Sequence, residues 1–216
     1  NYKEFSLDHP HVKDIELFFS TLHKNPAMKR YILLLISSYL RGGNKDQKFI
    51  IWTGGGSNGK STCIDLIRTT MGEYFEPLPI TILTRKRGGA DNASPQMAKM
   101  KGVRFAVFNE GEHDDTIYVG LMKELSGGDP QTARKLYGEP FQFIPQFKMV
   151  LTCNRLPLIP STDHGTWRRI RVAPWETQFV DEDEVCGELE DHMAYKDYSL
   201  ANKMSQWHQA FMWLLV

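Results

Sequence analysis

Residues Gly54, Gly55, Gly56, Ser57, Asn58, Gly59, Lys60 and Ser61 run consecutively and fill the pattern G-x-x-x-x-G-K-[ST]. The pattern suits the holding of a polyphosphate. Its glycines let backbone N–H groups wrap the anion, its lysine reaches the outer phosphates, and its serine meets a magnesium ion. With Thr62, these residues are the candidate nucleotide-binding segment, and ATP with Mg2+ is the expected ligand pair. The apolar run Phe49-Ile50-Ile51-Trp52 precedes the loop and an amphipathic stretch from Thr62 to Met71 follows it. That is the strand-loop-helix setting the pattern requires.

A phosphate loop alone leaves kinases, packaging motors, switch GTPases and helicases open, and later positions narrow the choice. Phe105-Ala106-Val107-Phe108 runs into Asn109-Glu110-Gly111-Glu112. A carboxylate at the end of a neighbouring strand holds magnesium or polarises the attacking water. Glu110 is the better placed of the two acids and Glu112 the second, so Ser61, Glu110 and Glu112 are the candidate metal group. The strand Lys148 to Cys153 ends on Asn154, whose amide can donate to a γ-phosphate and accept from water; the plainer reading is a turn residue closing a strand. Arg168 and Arg169 lie within Gly165-Thr166-Trp167-Arg168-Arg169-Ile170-Arg171. An arginine finger supplied by a neighbouring subunit is worth on the order of 10³–10⁵ in rate, and the spacing does not choose between the pair. Alternation on both sides of Gly138-Glu139-Pro140 predicts a β-hairpin. Near its tip, Arg134 and Lys135 could meet phosphates and Tyr137 could stack on a base, a mode that tolerates any sequence. An exposed hairpin without a ligand is the plainer alternative. Arg85-Lys86-Arg87, with Lys99, Lys101 and Arg104, either adds positive potential or forms a solvated loop.

These residues need a scaffold. Apolar strands alternating with helical stretches between Lys48 and about Val180 indicate a parallel sheet with crossovers. The strand candidates are Phe49 to Thr53, Arg104 to Asn109, Phe147 to Cys153 and Ile170 to Val172. Val12, Ile15, Phe18, Phe19 and Leu22 recur at helical spacing; Asn25-Pro26 caps a second helix from Ala27 to Arg41, which Gly42-Gly43 ends. Asp115 reads as the N-cap of a helix through Tyr118, Leu121, Met122 and Leu125. Met204, Trp207, Phe211 and Leu214 predict a last amphipathic helix. The acidic run from Asp181 to Asp191 reads as a solvated helix start or linker. The expected division is a helical segment over 1–47, an ATPase core over 48–180 and a helical segment over 181–216.

At 216 residues and 41% hydrophobic, the chain can bury one α/β core plus a helical annex. Lysine plus arginine equals aspartate plus glutamate at 26 each, so any contact with DNA must be local. Cys63, Cys153 and Cys186 lie far apart and make no C-x-x-C, which excludes a zinc ribbon or a disulfide framework and fits a reducing compartment. The longest aliphatic run, Ile32 to Ile36, falls far short of the roughly 20 residues that span a bilayer, and no signal peptide opens the chain. A membrane partner is not expected, and an intracellular location is. A start at Asn1 and a stop in Phe211 to Val216 read as a piece of a longer polypeptide.

In this order, the phosphate loop, the strand running into Asn109-Glu110, the Gly-Gly-Asp hairpin, the strand ending in Asn154 and Trp167-Arg168-Arg169 resemble superfamily 3 helicases. The likeness covers about residues 30 to 180 and is greatest to the poxvirus-type and satellite-phage primase-helicases of large DNA viruses and mobile elements. It implies an AAA+ type P-loop NTPase of α/β class, with a central parallel sheet flanked by helices. It implies a homo-hexameric ring that threads single-stranded DNA with 3′ to 5′ polarity, and a primase domain in the same polypeptide. It places the protein in the cytoplasm of an infected host cell, at a replication site, or in the nucleus. By motif position Lys60 and Ser61 take the phosphate and magnesium roles, Glu110 the strand-end acid, Asn154 the sensor, Arg168 or Arg169 the finger, and Arg134 with Lys135 the DNA contact. Many relatives carry two adjacent acids where this chain has Asn109 before Glu110. Since an amide cannot act as a base, Glu110 serves both magnesium and water or shares the work with Glu112. Two other functions compete with the helicase motor: a nucleotide kinase using the same loop, and a non-catalytic assembly module that holds ATP.

Overall fold

The computed structural model describes residues 4–85, 94–109, 116–185 and 187–216. In chain order the elements are α1 (Pro10–Leu22), α2 (Pro26–Tyr39), β1 (Phe49–Thr53), α3 (Lys60–Met71), β2 (Phe75–Pro79), α4 (Thr81–Thr84), α5 (Pro95–Lys99), β3 (Phe105–Asn109), α6 (Val119–Gly127), β4 (Gln131–Arg134), β5 (Pro140–Phe143), β6 (Lys148–Cys153), α7 (His164–Trp167), β7 (Ile170–Pro174), β8 (Gln178–Val180), β9 (Met193–Tyr195) and α8 (Leu200–Leu215). Packing divides the chain into two compact units. One holds residues 1–40, 54–72 and 174–216, and the other holds 41–53 and 73–173. Among the described residues no helix is long and apolar enough to cross a membrane.

The second unit is built on a sheet of order β2-β3-β6-β1-β7. The pairs β2 with β3, β3 with β6 and β6 with β1 are parallel. Strands buried on both faces of a parallel sheet read as unbroken apolar runs, and Phe49, Ile50, Ile51 and Trp52 are all buried. One face joins Phe49, Ile51, Ala106, Phe108, Met149 and Leu151 to Leu83, Met97, Leu121 and Leu125 in a single core. In register, Thr53 stands level with Cys153 and Phe108 with Leu151. The carboxyl ends of β1, β3 and β6 therefore share one edge, where open α/β sheets bind ligands.

The four strands read from the sequence are present, each within a residue or two of its expected limits. Strand β2 is new. Its sequence, Phe75-Glu76-Pro77-Leu78-Pro79, carries two prolines that argue against a strand, but β2 pairs only with β3 at the sheet edge, where proline is tolerated. Helix α6 begins at Val119, after Tyr118, which makes no side-chain cap; Asp115, the expected cap, lies outside the described residues.

The first unit packs helices on one another. The expected face of α1, namely Val12, Ile15, Phe18, Phe19 and Leu22, is buried. Asn25 Oδ1 accepts from the N–H groups of Ala27 (2.9 Å) and Met28 (3.4 Å), and Pro26 opens α2. This helix stops at Tyr39, two residues short of the expected end. From α8, Trp207 lies 5.9 Å from Phe18 and Phe211 stacks on Phe19 at 5.4 Å, ring centre to ring centre. Among the described residues of the acidic run, Glu182–Glu184 form a 3-10 turn, closed by a capping box between Asp181 and Glu184.

Candidate functional site

The phosphate loop follows β1 without a break and leads into α3, and its residues all lie in the first unit. Two glycines are demanded by close approach. A Cβ on Gly54 would run into the Trp175 carbonyl oxygen and come within 2.7 Å of Asn58 Nδ2. A Cβ on Gly59 would strike Leu22 Cδ2, and Gly59 also holds φ at 79°, a region that penalises side chains. Asn58 is buried and braces the loop: its Nδ2 donates to the Gly55 carbonyl and its Oδ1 accepts from Lys60 N–H at 3.4 Å. Phe179 N–H fastens the outer turn by donating to the Ser57 carbonyl at 2.7 Å.

Lys60 is 8% exposed, and its ammonium donates to the Gly54 carbonyl at 2.7 Å. The lysine is thus folded over the loop that a phosphate would enter. Helix α3 has no side-chain cap at its N-terminus. Among the described residues, none of the N–H groups of residues 55–59 donates to a protein carbonyl. A row of unspent donors before an uncapped helix start is the physical basis of anion binding. Gly55 and Gly56 have open space where a Cβ would stand, and Ser61 is exposed. The residues present therefore fit a polyphosphate and its counter-cation.

In the second unit, Asn154 follows β6, and its main-chain carbonyl accepts from Thr53 Oγ1 at 3.4 Å. Asn154 therefore lies beside the residue that precedes Gly54. Arg168 and Arg169 both donate to Gln47 Oε1, Arg169 Nη2 at 3.2 Å. Arg168 is exposed, whereas Arg169 is partly covered, donates from Nη1 to the Gly165 carbonyl, and keeps a buried Nε with no partner. Desolvation first, and the charge of Arg168 second, hold the Arg169 guanidinium below its usual range. The turn before them is fixed by Asp163, which caps α7 by accepting from Thr166 N–H at 2.9 Å and pairs with Lys123 at 2.8 Å. The hydrogen bond from Lys123, with further ones from Ser161 and Thr166, holds the Asp163 carboxyl well below the usual range.

The predicted hairpin is present: β4 and β5 pair antiparallel, with Arg134 opposite Pro140. Lys135 and Tyr137 stand outward at the tip, Tyr137 at 97% exposure and with φ at 58°. Arg134 is the last residue of β4, at the turn end of the hairpin, where its Nε donates to the Gly138 carbonyl at 2.9 Å and closes the turn.

The structure thus joins Gly54 to Gly59 in one loop that runs into Lys60, Ser61 and Thr62 at the start of α3, puts Arg168 and Arg169 on one amide, and sets Arg134, Lys135 and Tyr137 on one hairpin. Glu110 and Glu112 lie outside the described residues, as do Lys86 and Arg87 of the basic stretch. Gln47 is a residue that sequence reasoning passed over. It sits in a loop braced by the buried Asn44, whose Nδ2 donates to the Lys48 carbonyl at 2.8 Å. Its φ of 53° is uncommon for a residue with a side chain, and no motif flags it.

In solved structures, the chain is similar over its whole length to the apo C-terminal region of NrS-1 in its A form, with a TM-score of 0.70 at 13% identity, covering 46% of that chain. That likeness concerns the fold. A protein named "Putative helicase" in Acanthamoeba polyphaga mimivirus is 40% identical over all of this chain. Another of that name in Frog virus 3 (isolate Goorha) is 32% identical over 92% of it. A protein named "Putative primase" in African swine fever virus is 28% identical over 79%. The chain spans 23%, 21% and 18% of the lengths of these three relatives. Residues 52–169, more than half of the chain and including all but the first strand residues before the phosphate loop, match the profile of a family of unknown function, DUF5906, and the chain belongs to that family.

Proposed function

We propose that the chain is the ATP-hydrolysing motor of a DNA helicase within a viral replication primase-helicase, working on single-stranded DNA as a homo-hexameric ring. The observation that carries this reading is the loop Gly54 to Ser61, with its unspent N–H donors and the Lys60 ammonium folded over it. The relatives named as helicases and primases of large DNA viruses favour a replication motor over a kinase built on the same loop.

In this reading the loop N–H groups and Lys60 hold the β- and γ-phosphates. Ser61, with Glu110 and Glu112, holds Mg2+, which when bound offsets the charge that builds up on those phosphates. Glu110 orients the attacking water, and Asn154 senses the terminal phosphate. An arginine of the pair Arg168 and Arg169 completes the site of a neighbouring subunit. Lys135 and Tyr137 meet the strand through phosphate contact and base stacking, and Arg134 shapes the hairpin that carries them.

Phosphate release measured with and without single-stranded DNA tests the proposal. The expected result is ATP hydrolysis that rises with DNA and vanishes in Lys60→Ala. Phosphate transfer to a small acceptor without response to DNA, or retention of ATP without release, would contradict it.

A further inference from the structure

Within the second unit, Tyr74, Arg104 and Lys148 stand together at the amino ends of β2, β3 and β6. Phe75 lies level with Phe105, and Phe105 with Lys148. Arg104 N–H donates to the Tyr74 carbonyl and Lys148 N–H to the Arg104 carbonyl, both at 2.9 Å. This is the opposite end of the strands from Thr53, Asn109 and Cys153. The Arg104 guanidinium lies over the Tyr74 ring, 4.1 Å from its centre, and the tyrosine stays 48% exposed.

Further cations join this edge from two sides. Lys148 Nζ donates to the carbonyl of Arg41, an exposed residue, at 3.3 Å. Burial first, and the charge of Arg41 besides, lower the pKa of the Lys148 ammonium, while Asp46 opposes them. An anion beside Lys148 and Arg41 would relieve that repulsion. On the other side, the Lys101 ammonium lies 5.2 Å from the ring centre of Phe141, on β5 of the hairpin. Lys99, also exposed, makes a 3.6 Å pair with Glu76. The chain as a whole carries equal numbers of basic and acidic residues, so this clustering is the local positive charge that contact with a nucleic acid requires.

We propose that the amino edge of the sheet binds the backbone of single-stranded DNA, as a second contact apart from the hairpin tip, with Lys101 on Phe141 joining it to the hairpin stem. Cations interleaved with aromatic rings suit an unpaired strand of any sequence, the cations meeting phosphates and an exposed ring such as Tyr74 meeting a base. This role rests on reading the chain as a motor that works on single-stranded DNA.

Fluorescence anisotropy of a labelled oligothymidylate, titrated with the chain over a range of salt concentrations, tests it. Arg41→Ala, Lys99→Ala and Lys101→Ala together remove three exposed cations. The loss should cut affinity at least about tenfold and make the fall of log affinity with log salt shallower by about 2, at about 0.7 for each phosphate contact. Affinity within about twofold of the unaltered chain, with the same salt slope, overturns the proposal. The changes Arg41→Lys and Lys101→Arg keep the charge and should leave binding as it was; a loss as large as that of the alanine variant overturns the proposal too, since it would trace the effect to something other than charge. Failure of the unaltered chain to bind the oligonucleotide at any salt concentration would instead overturn the reading of a motor on single-stranded DNA.

Discussion

In the proposed reading a phosphate entering the loop meets the Lys60 ammonium where it donates to the Gly54 carbonyl, in a position that is 8% exposed. Lys60→Ala should lower phosphate release by on the order of 10²-fold or more, the scale of losing a charge-stabilising donor. The two arginines should separate. Arg168 is exposed, so Arg168→Ala should slow release by on the order of 10³-fold and leave nucleotide affinity within about threefold. Arg169 is tied to Gly165 and Gln47, so its replacement should also lower the melting temperature. His23 gives a pH test. It is 5% exposed against Trp175, and burial lowers its pKa to about 4 from 6.5. The folded state therefore favours neutral His23, so its stability is whole above pH 6.5 and falls as pH drops toward 4. The loss should be on the order of 3 kcal/mol, and urea unfolding of His23→Phe should lack that share of the slope. The loop was legible because its pattern is contiguous. The Gln47 clamp was not, because its contact with Arg168 spans 121 positions and an isolated glutamine carries no signal.

At the scale of elements, the hairpin offers a clean separation of folding from function. Tyr137 holds a φ that glycine adopts without cost, so Tyr137→Gly should raise stability by about 1 kcal/mol. The same change should remove most DNA stimulation of phosphate release, and intact stimulation would exclude base stacking at this tip. Helix α8 holds the helices of the first unit together. Phe211, fully buried against Phe19, should cost about 3–5 kcal/mol on replacement by alanine, read by chemical unfolding. Both α1 and α8 were legible from apolar residues at helical spacing. Strand β2 was hidden by its prolines, and β8 and β9, three residues each, are too short for an alternating pattern to register.

At the scale of the whole molecule, the chain spans about a fifth of the length of relatives named as helicases and primases, and the step proposed for it is the one that consumes nucleotide. In the proposed ring Arg168 acts on the loop of another copy, so turnover per chain should rise with concentration as copies assemble. Mixing Lys60→Ala with Arg168→Ala should restore part of the rate, because each defect leaves one competent face. The most direct measurement is steady-state phosphate release over a range of chain concentrations, with and without single-stranded DNA. A motor completed between copies should show a rate per chain that climbs with concentration and climbs further with DNA. A rate equally high at the greatest dilution, and indifferent to DNA, would contradict it.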